Sequence, residues 1–271
     1  GMTTSGKLSA KQAKSDTPLI SGELAAAGPD LPLLLQIAGA MSKDSGLPEL
    51  AANLGKLDDK KFSVNTRFNT DMKSGKIDLP LLDVSALGFK INANVKGNNI
   101  QKSNGSMDGK FVVSSKNPKP LLRAVGQEDL AVVLQSIDLS SGVSGNTANL
   151  SLAPLSLDAV FSGKKIPNSP VTLSIKADSK INLEKEVFEL SGLQVSGLGL
   201  DVEGAIKALQ YKTNPALSGQ IAIAPFDLQQ LMKTLNQDLP KTADPNVFKR
   251  FGLSTSFSGT KDNLALKQLK A

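Results

Sequence analysis

The chain has 271 residues and contains no histidine, no cysteine and no tryptophan. Its only tyrosine is Tyr211. Each absence removes a class of chemistry. Without histidine and cysteine there is no zinc site built on those ligands, no Ser-His-Asp or Cys-His nucleophile, and no thiol redox centre. A cysteine-free chain suits any redox compartment, so this absence leaves location open. Long apolar runs are missing too. The longest mostly apolar stretch, Leu31 to Met41, carries Pro32 and Gln36 and falls well short of the ~20 residues that span a bilayer.

Charge of one sign is only mildly in excess. Lysine and arginine number 31 against 25 aspartates and glutamates, a net charge of +6. The basic pairs Lys60-Lys61, Lys164-Lys165 and Lys249-Arg250 are scattered, with few aromatic neighbours. A nucleic-acid groove calls for a denser basic patch with stacking rings, so nucleic acid is not an expected partner. Anionic lipid headgroups remain open.

Candidate chemistry is sparse. Ser162-Gly-Lys-Lys165 has the spacing in which a lysine can activate a serine, but it sits in a turn-like stretch without partner motifs. Asp58-Asp59 and Glu184-Lys-Glu186 offer carboxylates. Flanking lysines and the lack of a calcium-loop pattern make these solvated surface. No glycine-rich phosphate loop ends in Lys-Ser or Lys-Thr. The expectation is a protein that is not an enzyme, with no catalytic residue, no metal and no cofactor.

What is present is a recurring pattern. From Gly219, Ile221 and Ile223 alternate, Asp227 follows, and then come Leu228, Leu231, Met232 and Leu235. From Gly109, Phe111 and Val113 alternate before Asn117-Pro118 and Leu121, Leu122 and Val125. From Gly22 the series is Leu24, Ala26, Asp30, Leu31, Leu34, Leu35 and Ala38. Each reads as a strand followed by an amphipathic helix. Asp30, Asn117 and Asp227 stand where a helix N-cap belongs, and Pro118 suits a first helical position. A second helix is expected at Leu47–Gly55, Glu128–Ser136 and Asp244–Arg250.

A hairpin follows each helix pair. Phe251, Leu253, Phe257 and Gly259 lead through a pause to Asn263, Leu264, Leu266 and Leu269. The same pattern occurs as Ile137, Leu139, Val143, Gly145, Asn149 and Leu150, and more loosely as Phe62, Val64, Phe68, Ile77 and Leu79. Leu87–Val95 and Leu198–Ile206 read as further strands, as do Val171–Ala177 and Lys180–Leu190. Phe89, Ile91, Ala93 and Val95 oppose Lys90, Asn92, Asn94 and Lys96, which describes a sheet with one wet face.

The expected fold is therefore a β-rich α+β architecture. It is one long, twisted antiparallel sheet forming a curved groove, built of repeated strand–helix pair–hairpin units. A single domain over 1–271 is expected, with units at 20–108, 109–217 and 218–271. Gly1 ahead of Met2 reads as a cloning scar, and the chain as a fragment of a longer protein.

The block "SGQIAIAPFDLQQLMKTL", "LPKTADPNVFKRFGLSTSFSG" and "DNLALKQL" at Gly219 to Leu269 resembles the C-terminal repeat of the AsmA family. "LGLDVEGAIKAL" resembles the strand that precedes it. The resemblance implies a periplasmic envelope protein, held in the bacterial inner membrane by an N-terminal helix that this chain lacks. It also implies a role in outer-membrane biogenesis and kinship with bridge-like lipid-transfer proteins. The expected partner is a phospholipid or other acyl-chain lipid, with other envelope proteins as further partners. Phe89, Ile91, Val95, Ile221 and Ile223 are the expected groove-lining residues. The small residues Ala93, Gly204 and Ala222 are expected to leave room beside them. A scaffold that binds envelope proteins through exposed strand edges is the alternative.

Overall fold

The computed structural model describes residues 1–12, 18–41, 47–57, 59–71, 73–99, 104–146, 148–164, 166, 168–234, 237–238, 246, 248–260 and 263–270. Strand order follows chain order throughout, and the pairings with a defined register are all antiparallel. The result is an open β-rich sheet with short helices. The chain divides into two compact units, Gly1–Leu139 and Ser140–Ala271. The division falls inside one strand, away from the boundaries at 108/109 and 217/218 expected from the sequence pattern.

The first unit contains β1 (Thr3–Lys11), β2 (Leu19–Gly28), α1 (Leu31–Met41), α2 (Leu47–Leu54), β3 (Phe62–Asp71), β4 (Lys76–Ala86), β5 (Phe89–Asn98), β6 (Ser106–Ser115), α3 (Lys119–Ala124) and α4 (Glu128–Val133). β7 (Leu134–Gly145) begins there and runs into the second unit. The second unit continues with β8 (Asn149–Phe161), β9 (Val171–Asn182), β10 (Val187–Gly197), β11 (Leu200–Leu209), β12 (Ala216–Phe226), α5 (Leu228–Thr234), β13 (Phe251–Thr260) and β14 (Leu264–Lys270).

Among the described residues, fully buried apolar ones are few, and many are small. Ala51, Leu54, Phe62, Leu87, Ala131 and Leu134 are buried in the first unit. All lie on the helices, or at the strand ends and turn next to them. Among the described residues Leu54 and Pro118 are the largest side chains shut off entirely from solvent. The core of this unit is thus an end cap where helices meet strand ends. Among the described residues of the second unit, Ala148, Ala159, Ala177 and Ala208 are the buried apolar side chains.

The strand interiors are legible in chemical terms. Apolar residues alternate with polar ones, as a half-wet sheet requires. Where the spacing of apolar residues lengthens from two to three, the register slips by a bulge. This happens at Leu79 to Leu82, Leu152 to Leu155, Leu190 to Leu193 and Ile223 to Phe226. Pro80, Pro154 and Pro225 stand at three of these bulges. There the ladder is already interrupted and a missing N–H is tolerated. Each bulge returns the following leucine or phenylalanine to the apolar face.

The two late hairpins share their turn. The Asn146 N–H donates to the Asn149 carbonyl at 2.7 Å, and the Thr260 N–H to the Asn263 carbonyl at 2.8 Å. Gly145 and Gly259 precede those turns. A Cβ at either would overlap the carbonyl oxygen of Asn149 or Asn263.

Several expectations change. Leu87-Gly88 and Leu198-Gly199 are turns, not strand residues, with φ of 55° and 81° in the first and 55° and 76° in the second. The stretch Lys180–Leu190 contains the β9–β10 connection at 183–186. The helix from Glu128 ends at Val133, because Leu134 already has extended backbone angles. Asp30 and Asp227 do cap their helices. Asp30 Oδ1 accepts from the Leu33 N–H at 3.1 Å, and Asp227 Oδ1 from the Gln230 N–H at 2.9 Å. Asn117 does not: no side chain caps α3, and Pro118 occupies the cap position. The Asn117 N–H is instead held by Ser115 Oγ at 3.2 Å, whose hydroxyl donates to the Gly88 carbonyl at 2.8 Å. Leu235, Asp58 and Lys165 lie outside the described residues, as do 244, 245 and 247 of the expected helix Asp244–Arg250, whose described residues 246 and 248–250 form turns and no helix.

Candidate functional site

Directly paired residues of an antiparallel sheet point to the same face, so the registers decide what each face presents. Ile91 on β5 stands between Val84 and Val113. Phe89 stands between Ala86 and Ser115, and Val95 between Leu79 and Gly109. Phe89, Ile91 and Val95 therefore share one face. On the next strand the face continues through Phe111, paired with Ala93. Outward from β4 it runs through Val64 and Phe62 of β3 to Ala26 and Gly28 of β2. Followed through the registers, this face carries no charged residue from β2 to β6.

The second unit has the same arrangement. Ile223 stands between Val202 and Leu253, and Ile221 between Gly204 and Thr255. Val195, Leu190 and Phe188 of β10 extend the face through their partners on β11. Ala222 is a correction: paired with Glu203 and Ser254, it belongs to the polar face. Ala93 and Gly204 are on the apolar face, where small side chains leave space.

All five expected lining residues are half-buried. Each packs against its cross-strand neighbours and keeps part of its surface open. Phe89, Ile91 and Val95 are in the first unit; Ile221 and Ile223 are in the second. Val84, Val113, Phe111, Val202 and Leu253 lie on the same faces; the sequence pattern marks Phe111, Val113 and Leu253 as apolar strand positions but none of the five as lining residues. Cross-strand pairing, which alternation within one strand does not give, is the signal that identifies them.

Some hydroxyls on the apolar face are tied to backbone carbonyls: Thr66 donates to Leu81 at 3.0 Å and Ser115 to Gly88 at 2.8 Å. The face thus presents methyl and methylene groups with few free donors.

The other face carries the charge. Arg67 pairs with Glu23 at 2.6 Å, and Lys207 with Glu189 at 2.6 Å. The hydrogen bond from Lys207, with its positive charge, holds the Glu189 carboxyl below its ordinary pKa. Asp71 is also lowered, chiefly by the Ser74 hydroxyl, which donates at 2.7 Å. Among the described residues no group of three or more acidic side chains is placed to hold a metal ion, and no helix is long and apolar enough to cross a membrane. Comparisons of the chain with protein-family models, with curated proteins and with solved structures find no match.

Proposed function

We propose that this chain is a non-catalytic lipid-binding module that takes acyl chains of phospholipid or a similar lipid along the apolar face of its sheet. One observation carries the reading: the face is apolar across strand after strand, and its residues are only half-buried. Monomeric proteins rarely leave a large contiguous apolar surface in water without a partner for it. An alkyl chain needs no placed polar group, and the face offers few.

The magnitudes are sufficient. Burying about fourteen methylenes contributes ~11 kcal/mol at ~0.8 kcal/mol each. Subtracting ~4 kcal/mol, the low end of association costs, leaves a Kd on the order of 10 µM. Headgroup selectivity is not expected, because the charged groups stand on the opposite face.

The recurrence of strand, helix pair and hairpin supports a repeating unit, and each of the two compact units presents its own apolar face. The resemblance of Gly219–Leu269 to the AsmA family supports a place in the bacterial periplasm. There the full protein would be anchored in the inner membrane and serve outer-membrane biogenesis or lipid transport.

The test is saturable binding of a fluorescent fatty acid or phospholipid, with mass spectrometry of lipid extracted from the purified protein. Absence of both would favour the scaffold reading. That reading draws on β14, an edge strand exposed at every residue, with Leu264, Leu266 and Leu269 more than half open to solvent.

A further inference from the structure

Two turns in this protein place a leucine where leucine is disfavoured. A two-residue hairpin with positive φ at both positions suits asparagine or glycine. A bulky side chain there crowds its own backbone. Leu87 and Leu198 both adopt φ of 55° in such turns, between the pairs Ala86–Phe89 and Gly197–Leu200.

The two leucines differ in what covers them. Leu87 is 8% exposed and belongs to the end cap of the first unit. Burial there offsets the backbone cost. Leu198 is 41% exposed. It lines a half-open cavity of about 450 Å³ with Pro170, Val171, Phe226 and Leu231. That volume lies within the range of small-molecule sites. The strained leucine is present here too, but without the cover that accompanies it at Leu87.

The remaining lining residues restrict the occupant. Asn168, Thr172, Gly199, Gln230 and Asp227 complete the wall. Asp227 is the one charged group among them, and its Oδ1 already accepts from the Gln230 N–H. Among the described residues no cation lines the cavity, so none of them offers a carboxylate or phosphate headgroup a counter-charge there. Phe226, which lines the cavity, also packs edge-on against Phe251, with ring centres 5.8 Å apart.

We propose that this cavity holds the methyl end of a single alkyl chain, with the carboxylate or headgroup left outside. The inference rests on the acyl-binding reading above and adds where the chain ends and which way it points.

The experiment uses two photoreactive fatty acids, one with its diazirine at the methyl end and one with it beside the carboxylate. Each is cross-linked to the full chain, and the adducts are mapped by peptide mass spectrometry. The methyl-end probe is expected to label peptides containing Leu198 and Phe226 to Leu231; the carboxylate-end probe is expected to label elsewhere. Leu198→Asn is the informative variant. Asparagine suits the turn, so the fold should hold or gain stability. Methyl-end labelling should nevertheless fall about tenfold, as losing one leucine of apolar contact implies. Leu231→Trp, which fills the cavity, should do the same.

Unchanged labelling in Leu198→Asn would overturn the proposal. So would adducts confined to the Ile221–Ile223 strand, though acyl binding itself would then stand. No adduct anywhere at saturating probe would overturn the acyl reading as well.

Discussion

Ile91→Asp is the sharpest probe of the sheet face. Ile91 lies mid-strand, with Val84 opposite on one side and Val113 on the other. A carboxylate there must stay hydrated. An alkyl chain crossing β4, β5 and β6 could not lie flat over it. Denying contact to about three methylenes loses ~2.4 kcal/mol, roughly a fiftyfold rise in Kd. The fold should survive, because Ile91 is only half-buried, at a stability cost of ~1–3 kcal/mol.

The matched control is Asn94→Asp. It adds the same charge to the same strand but on the polar face, opposite Lys110, where a carboxylate is favourable. Binding should stay within about twofold of the parent, since a solvated charge across the sheet is screened. The assay is fluorescent fatty-acid titration, with thermal unfolding of each variant to show that it is folded. Equal losses in the two variants would mean that binding responds to net charge, and the apolar-face argument would fail. Parent-like binding by Ile91→Asp would refute it directly. Ile223→Asp, between Val202 and Leu253, tests the same logic in the second unit.

Other outcomes follow from local geometry. Asp30→Ala and Asp227→Ala should each lose about 1 kcal/mol in denaturant unfolding through loss of a cap, whereas Asn117→Ala, with no capping bond to lose, should lie within ~0.5 kcal/mol of the parent; equal losses at all three sites would contradict the assignment. Gly145→Ala should lower stability by ~1–3 kcal/mol, because its φ of 118° and the Asn149 carbonyl both oppose a Cβ, and Gly259→Ala should do so by overlap with the Asn263 carbonyl. With no histidine, thermal stability should be flat from about pH 6 to 8. The carboxyls of Glu189 and Asp71 are held below 4.5 and 3.8. What they contribute is present above those ordinary values and is lost as pH falls through the lower folded ones, so Glu189→Gln should flatten part of the acid limb of a melting-temperature profile.

The parts of this fold that could be read in advance are those governed by period. Alternation at β5, β11 and β13 placed their apolar residues because a strand side chain has only two directions. Asp30 and Asp227 were legible as caps because short carboxylates satisfy free N–H groups in a fixed local geometry. Leu87 and Leu198 were not legible. Each continues the apolar rhythm of its neighbours, and only the pairing of Ala86 with Phe89, or Gly197 with Leu200, shows that the chain has reversed there. Asn117 misled for a related reason. Its sequence suits a cap, but Pro118 takes that position and the Ser115 hydroxyl satisfies the Asn117 N–H. The cavity beside Leu198 was invisible because it depends on Val171, Leu198 and Phe226, brought together from three strand ends.

These observations bear on how a one-sided sheet holds together. A sheet ordinarily buries its apolar face under a second layer. Here the described helices sit at the ends of the strands, and the buried apolar residues among those described gather beside them or are alanines on the strands and in the β7–β8 connection. Along the strands each apolar side chain depends on its cross-strand partners, as Ile91 does on Val84 and Val113. Such pairs contribute only ~0.2–1 kcal/mol each. Stability then approximates a sum of nearest-neighbour terms along the meander, as in a repeat protein. A face held together in this way need not be closed by a lid in order to fold. Its apolar surface stays available, and an alkyl chain laid across several strands would add contacts that the fold does not itself supply.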